Sequence, residues 1–377
     1  MNHTNNKECD VLITYCWNRV GYNILRSLSN QGLKVWVADT SEYNICSMSK
    51  YKTGSFVYPD PFTQEEEFIN CLLEHIQKLK PQVLLPTHDE SVVIAKNIDK
   101  FPKDLIIPIA NLELLTNLSN KKKATELAES IGVPVPEVYQ CASDAKFPCV
   151  FKTAIGNSAK TVFYPQNKAE LEELISTYKD TDILIEEFVT GIDYCVDCVR
   201  QDNQCYTSVY KALVTKTPNG GTTTQREIVE CPQLEVYAKK MLDAVNYNGV
   251  CGIDFKYNET TQRAAFIEVN ARYTGGIATP IVAGFDIPYL HYCLSTEKKY
   301  PYPIKSQTGI KTKWILGDII TLAGMIVSGP FTMKKFKQLL SFNFDGFDDF
   351  KKDDPWAIWG ELSYYFVKLI KNRKLNP

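Results

Sequence analysis

Two strand-like runs, GIDFKY (252–257) and AFIEV (265–269), flank the polar stretch NETTQR, and the pattern reads as a β-hairpin. A register centred near Thr261 sets Asp254 opposite Glu268. Directly paired residues have Cβ atoms about 5 Å apart, so two carboxylates face each other. Left uncompensated, that pairing is unfavourable and raises one of the two pKa values. Glu268, Asn270 and Arg272 follow at i, i+2, i+4, which on a continuous strand puts all three on one face. A divalent cation removes the conflict between the carboxylates, and hard oxygen ligands of this kind suit Mg²⁺ bridging nucleotide phosphates. Asn270 adds an oxygen without charge, and Arg272 is placed to meet a phosphate. Any one of these residues alone is an ordinary solvated strand residue. Four in register on one hairpin point to a site.

The rest of the composition is that of an ordinary globular chain. Its 377 residues allow two or three domains with real cores, 44% of them hydrophobic and 23% charged. A net charge of -2 gives no bulk attraction for nucleic acid, so an anionic ligand must be held by a local site. MNHTNNKECD carries no apolar run of a signal peptide, which leads to the expectation of a cytoplasmic protein. The longest apolar stretch, WILGDIITLAGMIVSG (314–329), is short for a membrane span and contains Asp318, so it reads as a buried or interfacial helix. Without a secretory context the twelve cysteines read as reduced thiols. Cys195 and Cys198 have C-x-x-C spacing, but on a strand that spacing sends the sulfurs to opposite faces.

Residues 1–115 read as a small α/β domain with a parallel sheet: DVLITYCW, a helix ending near Gly32, KVWVAD, a helix over 65–80, then QVLLPTHDE and DLIIPI as strands. The first strand–helix turn has only Gly21 and lacks G-x-G-x-x-G, which argues against NAD or FAD. Asp39 and the His88–Glu90 run at strand ends can still face a crevice for a small substrate. Residues 116–300 read as an α+β body of mostly antiparallel sheet, divided near 190 into a smaller part (about 140–190) and a larger one (about 191–300). Residues 301–377 form a mainly helical C-terminal extension. In it Leu362, Tyr365, Phe366, Leu369 and Ile370 recur at helical spacing among Lys368, Lys371, Arg373 and Lys374. A helix packed on the body and a weak basic contact with a membrane surface both fit this pattern.

Two lysines stand out. Lys152 lies amid apolar residues in CVFK, so its ammonium needs an anion. Lys121 starts a helix, where the macrodipole disfavours a cation; a phosphate there explains it, and so does a solvated place in KKK. In ILIEEFVTGID, backbone groups around Glu187 and Val189 are placed to pair with an adenine edge, and Asp193 to accept from ribose hydroxyls.

In order along residues 10–300, NKKKATELAESIGVPVP, FPCVFKTAIGNSAK, ILIEEFVTGIDYCVD, GIDF and FIEVNARYTGG resemble the ATP-grasp superfamily. The resemblance implies ATP held between two α+β lobes with two Mg²⁺ ions, for which Mn²⁺ can substitute. It implies Asp254, Glu268 and Asn270 as metal ligands, Lys121 and Lys152 on the nucleotide, Glu186, Glu187 and Val189 at the adenine, and Asp193 at the ribose. Arg272 would stabilise the transferring phosphoryl group and the acyl phosphate. NICSMSKYKTGSFVYPDP, LLPTHDE and DDPW resemble, more weakly, the carbamoyl-phosphate-synthase-like and D-aspartate-ligase-like carboxylate–amine ligases. Two features depart from the pattern: the loop AIGNSAK has a single glycine, Gly156, and Asn120-Lys121 replaces the usual Asp-Lys. The implied reaction is ATP-dependent amide formation between a small-molecule or saccharide-linked carboxylate and an amine such as an amino acid. A kinase or carboxylase-like ATPase and a non-catalytic nucleotide-binding module stay open, as does a homodimer.

Overall fold

The computed structural model describes residues 8–156, 161–217, 220–327 and 332–372. Residues 1–7, 157–160 of the AIGNSAK loop, 328–329 of the apolar stretch, and Arg373 and Lys374 lie outside the described residues.

Val11–Ile13 is the centre of a four-stranded parallel sheet, ordered Gly54–Val57, Val35–Asp39, Val11–Ile13, Val83–Leu85. Val11 pairs with Val35 on one side and Val83 on the other, so the chain's direction of travel reverses at Val11–Ile13. Such a switch point opens a crevice at the carboxyl ends of the strands. Helix Arg19–Asn30 starts there, its first N–H groups capped by the Asn18 side chain, and the chain leaves its far end through Gly32 at φ +80°. DLIIPI does not form the expected strand. It is reduced to a single bridge, Ile106 to Val83, because Pro102 and Pro108 bracket it and deny it ladder donors.

Helix Lys121–Ser130 leads into a four-stranded antiparallel sheet, ordered Val138–Tyr139, Ile183–Glu187, Cys149–Thr153, Val162–Phe163. The large sheet has seven strands: Arg263–Asn270, Gly249–Asn258, Ile192–Gln201, Gln204–Thr217, Gly220–Ile228, Lys311–Lys313 and Gly346–Phe347. Its last pairing alone is parallel. One core cluster fills the space between this sheet and helix Pro232–Ala244, and another joins the first domain to Tyr273, Phe285 and Leu290. Cys195 and Cys198 lie in different clusters, on opposite faces of their strand, and the cysteines are free thiols.

The C-terminal extension contributes two strands to the large sheet as well as its helices. Strand Gly220–Ile228, a segment to which the sequence reading assigned no element, buries the polar residues Thr224, Gln225 and Arg226. The extension satisfies two of them: Gln225 donates to Asp318 at 2.6 Å and Arg226 pairs with Asp348 at 2.7 Å. Helix Ile315–Val327 buries Leu316 and Met325 but exposes Ile319 and Ile326, so it is interfacial. Helix Ala357–Asn372 packs Tyr365 and Leu362 beside Trp314, and Tyr364 stacks on Trp17 with 4.6 Å between ring centroids. Among the described residues no helix is long and apolar enough to cross a membrane.

Candidate active site

The hairpin pairs Asp254 with Glu268, and a bulge follows immediately, between Asp254 and Phe255. Asn270 donates from Nδ2 to the Asp254 carboxylate at 2.9 Å, which leaves its amide oxygen for another partner. Burial, and next the Glu268 charge, push the Asp254 carboxyl up to about 8. The two acids thus face each other across the hairpin, an arrangement whose repulsion a divalent ion would relieve. Among the described residues no three His, Cys, Asp or Glu side chains form a ready-made metal cage. Two carboxylates and an amide oxygen fit Mg²⁺, which keeps water and phosphate oxygens in its shell.

Arg272 departs from the expected alternation. The strand ends at Asn270, the Arg272 N–H turns back to the Asn270 carbonyl at 2.7 Å, and the guanidinium leaves the sheet. Its Nε meets Asp89 of the first domain at 2.9 Å. Burial alone raises the Asp89 carboxyl, but His88 and Arg272 outweigh it and hold Asp89 well below the usual carboxylate range. His88 stacks on Tyr15, a non-glycine residue at φ +59° in the first strand–helix turn. The loop after strand Arg263–Asn270 and the switch-point end of the first sheet therefore meet at one place.

Both lysines find their charges in the folded chain. Lys152 and Glu186, each almost fully buried, pair at 2.7 Å, and the ammonium also approaches the Ile267 carbonyl at 3.4 Å. Lys121 is the first residue of its helix; its ammonium donates to the Gly156 carbonyl at 2.7 Å and meets Glu268 at 3.3 Å. Lys121, Lys152, Glu268 and Asp254 thus converge from four elements, with helix Lys121–Ser130 packed on strand Arg263–Asn270.

Glu187 is held in a bidentate pair with Arg263, at 2.8 and 2.6 Å. Its N–H donates to the Glu137 carbonyl at 2.8 Å, so the expected backbone donor at Glu187 is already used within the sheet. Val189 is buried just beyond the strand. Asp193 meets the Lys256 ammonium at 2.5 Å; burial raises its carboxyl and Lys256 opposes the shift. Sequence reasoning missed Arg263 and Lys256. Lys256 had a signal, standing two residues after Asp254 and hence on the same strand face.

A family model described as ATP-grasp in the biosynthetic pathway with Ter operon matches residues 179–317, which contain strand Ile183–Glu187 and the hairpin. Carbamoyl-phosphate synthase of Methanobrevibacter smithii is 23% identical over 202 residues, 49% of this chain and 54% of that one. The matched region thus spans about half the length of that curated relative. Biotin carboxylase from Campylobacter jejuni, solved with β,γ-ATP, superposes with a TM-score of 0.65 at 14% identity, covering 82% of this chain and 75% of that one. An L-amino acid ligase from Bacillus licheniformis gives 0.60 at 17% identity, covering 76% and 73%.

Proposed function

Because the chain is an ATP-grasp superfamily protein, we propose that it is an ATP-dependent carboxylate–amine ligase that forms an amide through an acyl phosphate. The observation that carries this reading is the convergence of Asp254, Glu268, Asn270, Lys121 and Lys152 through direct contacts, with Arg272 two residues beyond Asn270 and paired with Asp89. A substrate carboxylate attacks the γ-phosphorus, the bond to the β-phosphate oxygen breaks, and ADP leaves. An amine then attacks the acyl carbon and expels inorganic phosphate.

Lys152, fixed by Glu186, and Lys121, at the start of its helix, hold the phosphates in place. Arg272, oriented by Asp89, meets the charge that develops on the transferred group. Mg²⁺, held by Asp254, Glu268 and Asn270, would neutralise phosphate charge. Positioning and charge stabilisation are what phosphoryl transfer asks of a protein. Glu186, Val189 and Asp193 flank the adenosine side in this reading. The acid is a small molecule or a saccharide-linked carboxylate, and the amine is of amino-acid type.

The likeness to biotin carboxylase favours a second reading, a carboxylase-like ATPase that forms no amide. Turnover in mixed acids and amines separates the two. The ligase requires an amine and accumulates an amide in step with ADP; ADP release that needs bicarbonate and no amine would decide for the carboxylase.

A further inference from the structure

The Gly275–Gly276 turn, three residues beyond Arg272, is crowded from the first domain and from the large sheet. A Cβ on Gly275 would lie 2.9 Å from an Arg19 Nη atom, and one on Gly276 would strike the Tyr210 hydroxyl. Arg19 is the first residue of the switch-point helix and is 7% exposed. Its guanidinium lies over Trp314, 3.7 Å from the ring centroid. Among the described residues it makes no hydrogen bond, and its ionic partner is Asp348 at 3.2 Å. Arg226 claims the same carboxylate at 2.7 Å.

A second cation stands over the same ring. Lys216 Nζ is 5.4 Å from the Trp314 centroid, half-buried, with no hydrogen bond or ion pair to any described residue. Of the neighbouring acids, Glu361 is buried with neither carboxyl oxygen hydrogen-bonded to a described residue, burial pushing its carboxyl up while the Arg19 charge opposes the shift, and the Asp349 carboxylate accepts from the Ile315 and Leu316 N–H groups at 3.1 and 2.8 Å. A nearly buried arginine with unmatched donors, next to an unpaired lysine, is costly unless an anion completes it. Burial, and then the Arg19 charge, lower the Lys216 ammonium to about 8.

We propose that Arg19 and Lys216, over Trp314 and beside the Gly275–Gly276 turn, bind a second anionic group of the acid substrate, a carboxylate or a phosphate. This rests on the ligase reading and deepens it: the substrate carries two acidic groups, one activated near Arg272 and one anchored here. The site takes residues from the first helix, the Gln204–Thr217 strand and the C-terminal extension, so the extension, through Trp314, shapes substrate choice.

Succinate and inorganic phosphate serve as probes, each titrated against the full chain without nucleotide or metal while the thermal midpoint is followed. The wild type shows a saturable rise with at least one anion, and the tighter of the two identifies the second group as carboxylate or phosphate. Lys216→Gln removes no internal bond and raises the half-saturating concentration about tenfold or more. Arg19→Lys keeps the charge beside Asp348 but loses the planar fork, and it also weakens binding. Lys240→Gln, at an exposed lysine outside the cluster, leaves the curve for the tighter anion in place. Three results overturn the proposal: no saturable response to either anion, equal curves for wild type and Lys216→Gln, or an equal loss caused by Lys240→Gln. These curves do not depend on amide formation, so a failed ligase reading and a failed anion site are told apart.

Discussion

Lys152 and Glu186 are 3% and 2% exposed, so each depends on the other to keep its charge in the interior. Removing one partner of such a pair costs about 3–5 kcal/mol, because the other charge is left buried and unpaired. Lys152→Ala should therefore lose stability on that scale in urea unfolding. The double replacement Lys152→Met with Glu186→Leu should recover much of it while ADP binding stays lost, which separates the structural role of the lysine from the nucleotide role proposed for it. Glu90 behaves differently. It accepts from Thr14 at 2.7 Å and from the Thr87 N–H at 2.9 Å, and burial pushes its carboxyl up to about 7. A carboxyl bound more tightly to its proton in the folded state stabilises the fold below the unfolded pKa of about 4.3, and loses that contribution as pH rises to 7. Glu90→Gln should thus have a flatter thermal midpoint between pH 4.5 and 7 than the wild type, with the variant gaining on it towards pH 7. Parallel pH curves for the two proteins would count against the raised carboxyl.

The hairpin was legible because everything that defines it lies within about twenty residues: period-two alternation, a polar turn, and two acids equidistant from Thr261. Its bulge and the departure of Arg272 were not legible, since the strand's end depends on the turn that docks against the first domain. Strand Gly220–Ile228 was missed for a related reason. Its Thr- and Gly-rich sequence reads as loop, and its buried Gln225 and Arg226 are satisfied by Asp318 and Asp348, 93 and 122 residues away. The helix at Lys121 was read from its pattern, and the structure adds its cap: the Asn120 side chain accepts from the Lys123 N–H at 3.1 Å. Asn is as good as Asp at this position, so the Asn120-Lys121 departure leaves the helix start sound. Asn120→Ala should cost about 1 kcal/mol in denaturant unfolding, and Asn120→Asp should cost little.

Across the whole molecule, the pieces read as separate segments are locked together. Residues from 301 onward supply two strands to the large sheet, and Asp348 is shared by Arg19 of the first domain and Arg226 of the sheet. A chain ending at residue 300 should fail to fold, since it leaves two buried arginines without their carboxylate and Gly220–Ile228 as an open edge. A soluble, cooperatively unfolding fragment would show instead that the extension is an appendage. The ATP chemistry could be read from local motifs, whereas the Arg19–Lys216 cluster could not, because its members and Trp314 meet only in the folded chain. The most direct test of the central claim is acid-dependent ADP release with ATP, Mg²⁺, pooled carboxylic acids and hydroxylamine, run on the wild type and on Glu268→Gln. The account predicts ADP and an acyl hydroxamate in equal amounts from the wild type and neither from a folded Glu268→Gln protein. Near-normal ADP release by Glu268→Gln, or wild-type ADP release without hydroxamate for any acid, would contradict it.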